Sequence, residues 1–160
     1  MIEPTKAEIQ ILEGAEMRET LDRDLALPGN VYAWCYLFRK EFLYDLLTKT
    51  NVARKINFIV DCRQSAQAAE LQDCLTQFNA WKWSYNRTMH DKTWIFPANS
   101  AIYIGSHNLN RGSFWTAINR SVRITSPLMT SKLMQTWNED RQKAVKVQSH
   151  KDHKEAPPCE

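Results

Sequence analysis

Glycine is scarce in this 160-residue sequence, which contains only four. Neither GxxxxGK[ST] nor GxGxxG occurs, so the glycine-rich loops that cradle mononucleotides and dinucleotides are excluded. The four cysteines have no CxxC spacing, which argues against a zinc signature and against a dense disulfide framework. We therefore expect Cys35, Cys62, Cys74 and Cys159 to be reduced thiols.

Long apolar runs are also missing. No stretch approaches the roughly 18 apolar residues that a membrane-spanning helix needs, and MIEPTKAEIQ at the N-terminus lacks the layout of a signal peptide. We expect an intracellular, cytoplasmic protein without a membrane span. One domain over residues 1–140 is predicted, followed by a disordered tail over 141–160, where apolar periodicity stops.

Charge is distributed unevenly along the chain, although the formal net charge is only +3. Residues 1–30 carry three basic and seven acidic side chains, a net charge of −4. Residues 79–125 carry six basic side chains and one acidic side chain, a net charge of +5. A local basic stretch favours an anionic partner such as nucleic acid more strongly than the total charge does.

The apolar pattern predicts an α/β fold. Residues 31–38 and 55–62 are apolar runs typical of strands buried on both faces, and each precedes an amphipathic segment. Two successive βα units imply parallel strands, so we expect a mixed, largely parallel central sheet with helices on both faces, an α/β/α sandwich. The other predicted elements are helices over 5–24, 39–50, 65–78 and from Pro127 onward, and strands over 81–85, 92–96, 101–105 and 121–125.

Two short motifs in the basic stretch carry the candidate chemistry. His90 and Lys92 form an HxK segment whose two side chains point to the same face of a strand. Ser106 and Asn108 belong to Gly105-Ser-His-Asn, a GSxN segment that leaves a neighbouring predicted strand. Together these four groups suit reaction with a phosphodiester. The imidazole can attack phosphorus, the ammonium can neutralise the nonbridging oxygens, and the hydroxyl and the carboxamide can orient those oxygens.

This pair of motifs resembles the phospholipase D superfamily, and the chain is most similar to the small Nuc-type phosphodiesterases with one motif per chain. The resemblance covers about residues 16–138 in the same order of elements. It implies that His90 is the nucleophile and forms a phosphohistidine, while Lys92, Ser106 and Asn108 hold the phosphate. It also implies a homodimer in which a second His90 acts as acid and base, with no metal and no other cofactor.

The sequence departs from the family pattern at two acidic positions. The family usually has an aspartate about seven residues after the histidine, where this chain has Pro97-Ala98-Asn99, so Asn99 is a candidate replacement. Nuc-type proteins often have an orienting carboxylate in an NxE segment after GSxN, where this chain has Asn119-Arg120-Ser121. Ser121, Asn119 or Asp91 are candidates for a weak substitute. Without the carboxylate the rate could fall by several orders of magnitude.

Several residues outside the motifs are candidates for contact with nucleic acid. The set comprises Arg111, Trp115 and Arg120, together with Arg123, Lys82 and Arg87. Trp81, Trp83 and Tyr85 alternate on a strand and could stack on bases, although packing against the terminal helix is the favoured interpretation. His107 is expected at the surface, and Asp61 is expected to have a structural, turn-capping role.

These patterns support three hypotheses for function. The leading one is a metal-independent nuclease that acts as a homodimer on nucleic acid, DNA rather than RNA. The second is a phospholipid head-group hydrolase, which the acidic N-terminal segment disfavours on an anionic membrane surface. The third is a catalytically impaired nucleic-acid-binding protein that keeps the fold, and the missing carboxylate motivates it.

Overall fold

An eight-stranded mixed sheet forms the centre of the computed structural model, which describes residues 6–36, 38–48, 55–61, 73–83, 89–116 and 118–148. The strand order is β1-β7-β6-β5-β2-β3-β4-β8. The strands are β1 Glu8–Glu13, β2 Val31–Cys35, β3 Ile56–Val60, β4 Asn79–Lys82, β5 Lys92–Phe96, β6 Ala101–Gly105, β7 Arg120–Thr125 and β8 Val145–Lys146. The helices are α1 Gly14–Ala26, α2 Lys40–Thr48, α3 Arg111–Trp115 and α4 Pro127–Lys143, and a short 3₁₀ turn spans Pro97–Asn99.

Helices flank this mixed sheet, as predicted, but its parallel part is the smaller one. Parallel pairing joins β2 to β3 and β3 to β4, which confirms the two βα units. The other pairings among the described strands are antiparallel. The hairpin of β5 and β6 lies beside β2. Its two strands are antiparallel because the Pro97–Asn99 turn between them is too short for a parallel crossover.

The predicted helix over residues 5–24 is wrong in its first half. Residues 8–13 form β1, which pairs with β7 along its whole length, and the helix begins only at Gly14. Ile9 and Ile11 alternate with polar neighbours, a period of two that favours a strand. Gly14, at φ +48°, separates the two conformations in a region that favours glycine.

Two apolar clusters pack on opposite faces of the sheet. The larger lies under α1 and α2 and includes Leu21, Leu46 and Phe58. The smaller lies under α4, where Trp137 is almost fully buried and makes an edge contact with Trp81 at 5.6 Å between ring centroids. Trp81 and Trp83 belong to this second cluster, so the packing interpretation is confirmed for them, and Tyr85 lies outside the described residues.

The ordered chain continues past the predicted domain end at residue 140. Helix α4 runs to Lys143, and β8 then pairs with β4, so residues 141–148 are not part of a disordered tail. Ser126 caps α4 by accepting a hydrogen bond from Met129 N, as its position before Pro127 predicts. Most of the predicted 65–78 helix and all of 149–160 lie outside the described residues.

None of the described helices combines the length and the apolar character that a bilayer span requires. The described cysteines, Cys35 and Cys74, are buried thiols, in agreement with the expectation.

Candidate active site

One edge of the sheet gathers the candidate residues because several strands end or begin there. The parallel strands β2, β3 and β4 all end at this edge, while β5 begins there with Lys92. Strand β6 ends there at Gly105, and β7 begins there at Arg120. The outer carboxyl ends of parallel strands are where open α/β sheets bind ligands. We call this boundary the site edge.

His90 and Lys92 lie together at the middle of the site edge. Lys92 Nζ is 3.0 Å from His90 Nδ1 and 3.4 Å from Nε2, and it donates to the His90 carbonyl oxygen at 2.9 Å. An ammonium can only donate, so the Nδ1 that accepts from it carries no proton. Burial lowers the pKa of the Lys92 ammonium, whereas the His90 side chain is exposed.

Tyr36 is a part of this cluster that the sequence analysis missed. Its ring lies 4.2 Å from the His90 ring between centroids, and Lys92 Nζ is 4.8 Å from the Tyr36 centroid. Tyr36 directly follows β2, which pairs with β5. An aromatic residue at the end of a buried strand next to the predicted HxK strand is the signal that could have identified it.

Ser106 and Asn108 follow β6, the strand that pairs with β5. The Ser106 hydroxyl joins the ends of β6 and β7, because it accepts from Arg120 N at 3.1 Å and donates to Arg120 O at 3.2 Å. Asn108 N donates to Ser113 Oγ at 3.2 Å. The buried Asn108 Oδ1 has no hydrogen-bond partner among the described residues. Adjacent strands lie about 4.8 Å apart, so the two motifs flank one small region.

Gly105 is required where β6 passes closest to β7. A Cβ at this position would lie 2.1 Å from Ser121 Oγ and 2.5 Å from Arg120 O. Real side-chain carbons do not approach backbone atoms so closely, so any other residue would separate the two strands. The glycine of the GSxN motif therefore fixes the position from which Ser106 and Asn108 extend.

The prediction that His107 lies at the surface is wrong. The ring is only 4% exposed, packs 5.1 Å from the Phe114 ring between centroids, and has Nδ1 2.7 Å from Ser121 Oγ. The chain turns after Gly105 instead of remaining extended, so strict alternation does not hold at His107. Burial lowers the pKa of His107.

The three candidate orienting residues do not contact His90. Ser121 bonds His107, and Asn119 Nδ2 donates to Ser113 O at 3.2 Å. Asn99 follows the far end of β5 and donates to Asp24 Oδ1 at 3.1 Å, so it lies at the opposite edge of the sheet from Lys92. Asp91, the remaining suggestion, accepts a hydrogen bond from Thr93 Oγ1.

Asp61 has a structural role, as predicted, but through a contact with a distant segment; the turn it was predicted to cap lies outside the described residues. Its side chain is 1% exposed at the end of β3, and Oδ2 accepts a hydrogen bond from Met89 N at 2.9 Å. Met89 immediately precedes the candidate nucleophile, so Asp61 anchors the segment that carries His90.

The residues proposed as nucleic-acid contacts differ in how accessible their side chains are to a phosphate or a base. Arg123 is partly buried and pairs with the buried Asp24, with Nε 2.8 Å from Oδ2, so it is not placed for a phosphate. Arg120 forms an exposed ion pair with Glu13. Trp115 is 53% exposed at the end of α3. Lys82 is exposed at the end of β4, the Arg111 side chain is outside the described part of the structure, and Arg87 lies outside the described residues.

Comparison with known proteins shows the fold. No protein-family model matches the sequence, and no curated protein is significantly similar to it. Among the solved structures that match over most of the chain are Nuc, NucT and a phosphatidylserine synthase. Nuc from Salmonella typhimurium, a phospholipase D family member, is 16% identical with a TM-score of 0.72, over 90% of this chain and 100% of its own.

NucT from Helicobacter pylori is 14% identical with a TM-score of 0.66, over 88% of this chain and 98% of its own. Phosphatidylserine synthase from Haemophilus influenzae is 13% identical with a TM-score of 0.69, over 95% of this chain and 42% of its own. The chain therefore has the phospholipase D fold in its small, Nuc-like form.

Proposed function

We propose that this protein is a metal-independent phosphodiesterase that cleaves nucleic acid through a phosphohistidine formed on His90. The observation that carries the proposal is that the two motifs lie at the site edge on paired strands. His90 and Lys92 contact each other at the start of β5, and Ser106 and Asn108 follow the adjacent strand β6. In this proposal the imidazole, the ammonium, the hydroxyl and the carboxamide act on one phosphate.

The proposed reaction has two displacements at phosphorus. In the first, Lys92 has moved from the imidazole to the phosphate and the ring proton has moved to Nδ1, which leaves Nε2 of His90 with a free electron pair. Nε2 forms a bond to phosphorus while the bond to the leaving oxygen breaks, and an acid protonates that oxygen. In the second, a water molecule loses a proton to the same group and attacks phosphorus, which breaks the phosphorus–nitrogen bond and frees His90. Lys92 neutralises the nonbridging oxygens in both steps, so it must exchange the imidazole for the phosphate when substrate binds.

A second copy of the chain supplies the acid and base in this proposal. One chain has one HxK and one GSxN segment, so the proton-transfer group is His90 of the partner subunit. Such a site lies on the two-fold axis of a homodimer and uses the same residues from both copies. Asn108 Oδ1, buried and without a partner in the described part of the chain, fits a role in accepting from a donor that enters the site, such as the attacking water.

Nucleic acid is the proposed substrate, with DNA preferred to RNA. Support comes from the net charge of +5 over residues 79–125, which contain both motifs. It also comes from the exposed Trp115 close to the GSxN segment in the chain. The proposed contacts beyond the phosphate are Trp115, Arg111 and Arg120, of which Arg120 would exchange its Glu13 partner for a phosphate.

The first experiment is a DNA cleavage assay in excess EDTA with the wild-type protein, His90→Ala and Leu128→Ala. Leu128 is 63% exposed on α4 and serves as a matched surface control. We expect cleavage by the wild type and the control in EDTA, and none by His90→Ala. Loss of wild-type cleavage in EDTA, or full cleavage by His90→Ala, would contradict the mechanism.

The shared site is tested by refolding wild-type and His90→Ala chains together in varied proportions. Only a dimer of two wild-type chains has both imidazoles, so activity should fall as the square of the wild-type fraction. A linear decrease would show that each chain acts alone.

A second candidate function is a nucleic-acid-binding protein that has lost turnover. The observation in its favour is that His90, within the described part of the chain, contacts Lys92 and Tyr36 but no carboxylate. A carboxylate would hold the ring proton on Nδ1 and stabilise the imidazolium during reaction. Quenching in alkali, which preserves the acid-labile phosphorus–nitrogen bond, followed by mass spectrometry for a nucleotide phosphate on His90 discriminates the two, since only the enzyme forms that adduct.

A further inference from the structure

Two loops run side by side from the site edge into a neighbouring groove. One loop begins with Tyr36 at the end of β2, and the other contains Asn108 after β6. Phe38 and Leu109 form a parallel bridge between these loops, and Arg39 N donates to Leu109 O at 2.9 Å. Since a residue spans at most about 3.6 Å, the groove begins within a nucleotide's reach of the candidate site residues.

The groove has a volume of about 1190 Å³ and lies between α1, α2 and α3. This exceeds the roughly 300–1,000 Å³ typical of small-molecule pockets, so a nucleoside fits. Its lining residues come from three helices and the loops just described, namely Arg18, Asp22, Arg39, Glu41, Phe42, Asp45, Asn110, Gly112 and Trp115.

The groove has an aromatic wall with one accessible ring. Phe42 stacks on Phe114 at 5.6 Å between centroids, and Phe114 lies 5.8 Å from Trp115. Phe42 and Phe114 are buried, whereas Trp115 is 53% exposed. A large exposed indole held from behind by buried rings is a rigid platform on which a planar ligand can stack.

The charges in the groove largely cancel. Arg18 pairs with Asp22 at 2.9 Å and also with Asp45. Arg39 and Glu41 have no side-chain partner among the described residues, so the groove presents one cation and one anion to a ligand. This balance does not suit a further stretch of phosphates, which needs a basic channel. It suits a neutral heterocycle with hydrogen-bond donors and acceptors on its edge.

We propose that this groove binds the unpaired nucleobase next to the scissile phosphate, with the base stacked on Trp115. The inference rests on the proposed function, because it takes the position of the phosphate from the site edge. Arg39 and Glu41 face the edge of the base with a donor and an acceptor. Because a base inside a duplex is stacked and paired, the groove selects single-stranded nucleic acid or requires the base to leave the helix.

The test measures binding of a fluorescent single-stranded oligonucleotide of about ten nucleotides to protein that already carries His90→Ala, so no cleavage interferes. A second oligonucleotide has the same sugar-phosphate backbone but lacks its bases. We expect Trp115→Ala to weaken binding of the base-containing strand about tenfold. Trp115→Phe should keep most of the affinity because it keeps a ring.

Binding of the abasic strand should be the same with and without Trp115, and Leu128→Ala should change neither affinity. An equal loss on both strands, or no loss on either, would overturn the proposal, because stacking needs a base. A wild-type protein that never cleaves but shows the Trp115 effect would refute the proposed function alone. A protein that cleaves normally while Trp115→Ala has no effect on binding would refute the groove alone.

Discussion

Two groups of polar side chains lie on or beside neighbouring strands of the sheet. They differ in how many of their hydrogen-bonding and charged atoms have a partner. The first is the site edge, with His90 and Lys92 as its exposed centre. The second, which we call the Asp24 network, consists of Asp24, Asn99, Tyr103 and Arg123. Tyr103 and Arg123 pair across β6 and β7, two residues before β6 ends at the site edge and three residues after β7 begins there.

The Asp24 network leaves no carboxylate oxygen of Asp24 without a donor. Arg123 and Tyr103 donate to Oδ2, while Asn99 and the other end of the Arg123 guanidinium donate to Oδ1. The pKa of the Tyr103 hydroxyl is raised far above its ordinary value, mainly by burial and also by the adjacent Asp24 carboxylate. A buried, mutually satisfied set of charges holds α1 against the sheet and is closed to a ligand.

The site edge is arranged differently. Lys92 donates to an imidazole instead of a carboxylate. This ammonium gains most from an added anion, which can accept from it and displace the imidazole. The comparison teaches that the two groups differ in their cations, since Arg123 is paired with a buried carboxylate and Lys92 has a neutral partner that a phosphate can replace.

The largest expected effect is on activity, from Lys92→Ala. Removing a positioned cation from a phosphoryl transition state should lower kcat about 10²- to 10³-fold. Thermal stability should hardly change, because Lys92 makes its contacts with the exposed His90. Steady-state kinetics together with a melting curve measures both. A large loss of stability would place Lys92 with the structural residues instead.

Arg123→Ala should have the opposite signature. It leaves the buried Asp24 carboxylate without its cation, which should lower the free energy of unfolding by about 3 kcal/mol. Arg120→Ala is the matched control on the same strand, since Arg120 pairs with Glu13 in solvent and its loss should not measurably change stability. Urea unfolding compares them, and similar midpoints for the two variants would show that the Asp24 network is not stabilising.

Much of the frame around the site could be predicted from the sequence because it depends on short-range patterns. Apolar runs at residues 31–38 and 55–62 mark the buried parallel strands. The two motifs occur where predicted strands begin and end, so their proximity follows from strand pairing. The phospholipase D fold follows from this order of elements, and the solved structures confirm it.

The features that escaped prediction depend on contacts between distant residues. Asn99 bonds a carboxylate 75 positions away in the chain, and nothing near Pro97 indicates that partner. His107 is buried because the chain turns back toward β7, which periodicity cannot reveal. Tyr36 joins the site only because β5 lies beside β2, a pairing between strands far apart in sequence.

Gly105→Ala should weaken the pairing of β6 with β7, the two strands that connect the site edge to the Asp24 network. The added Cβ would meet Ser121 Oγ and the Arg120 backbone, so we expect a loss of about 2 kcal/mol from overpacking. Gly112→Ala is the control, because its Cβ meets only side-chain atoms at 3.3 and 3.4 Å. A helical glycine replaced by alanine should be neutral or gain up to about 1 kcal/mol. Equal stability of both variants in urea would contradict the close approach of β6 and β7.

The smallest expected effect is a pH dependence of stability that arises from His107. Burial lowers the pKa of this imidazole below its usual value of 6.5, so the unfolded chain takes up a proton at a higher pH than the folded chain. The contribution of His107 to stability is therefore fully present above about pH 6.5 and is lost as the pH falls through the folded pKa.

The measurement is the melting temperature at pH 7.5 and at pH 5.5. It should decrease by a few degrees more between these values in the wild type than in His107→Gln, which cannot titrate there. If His107→Gln loses as much stability on acidification as the wild type, the buried imidazole is not the group that titrates.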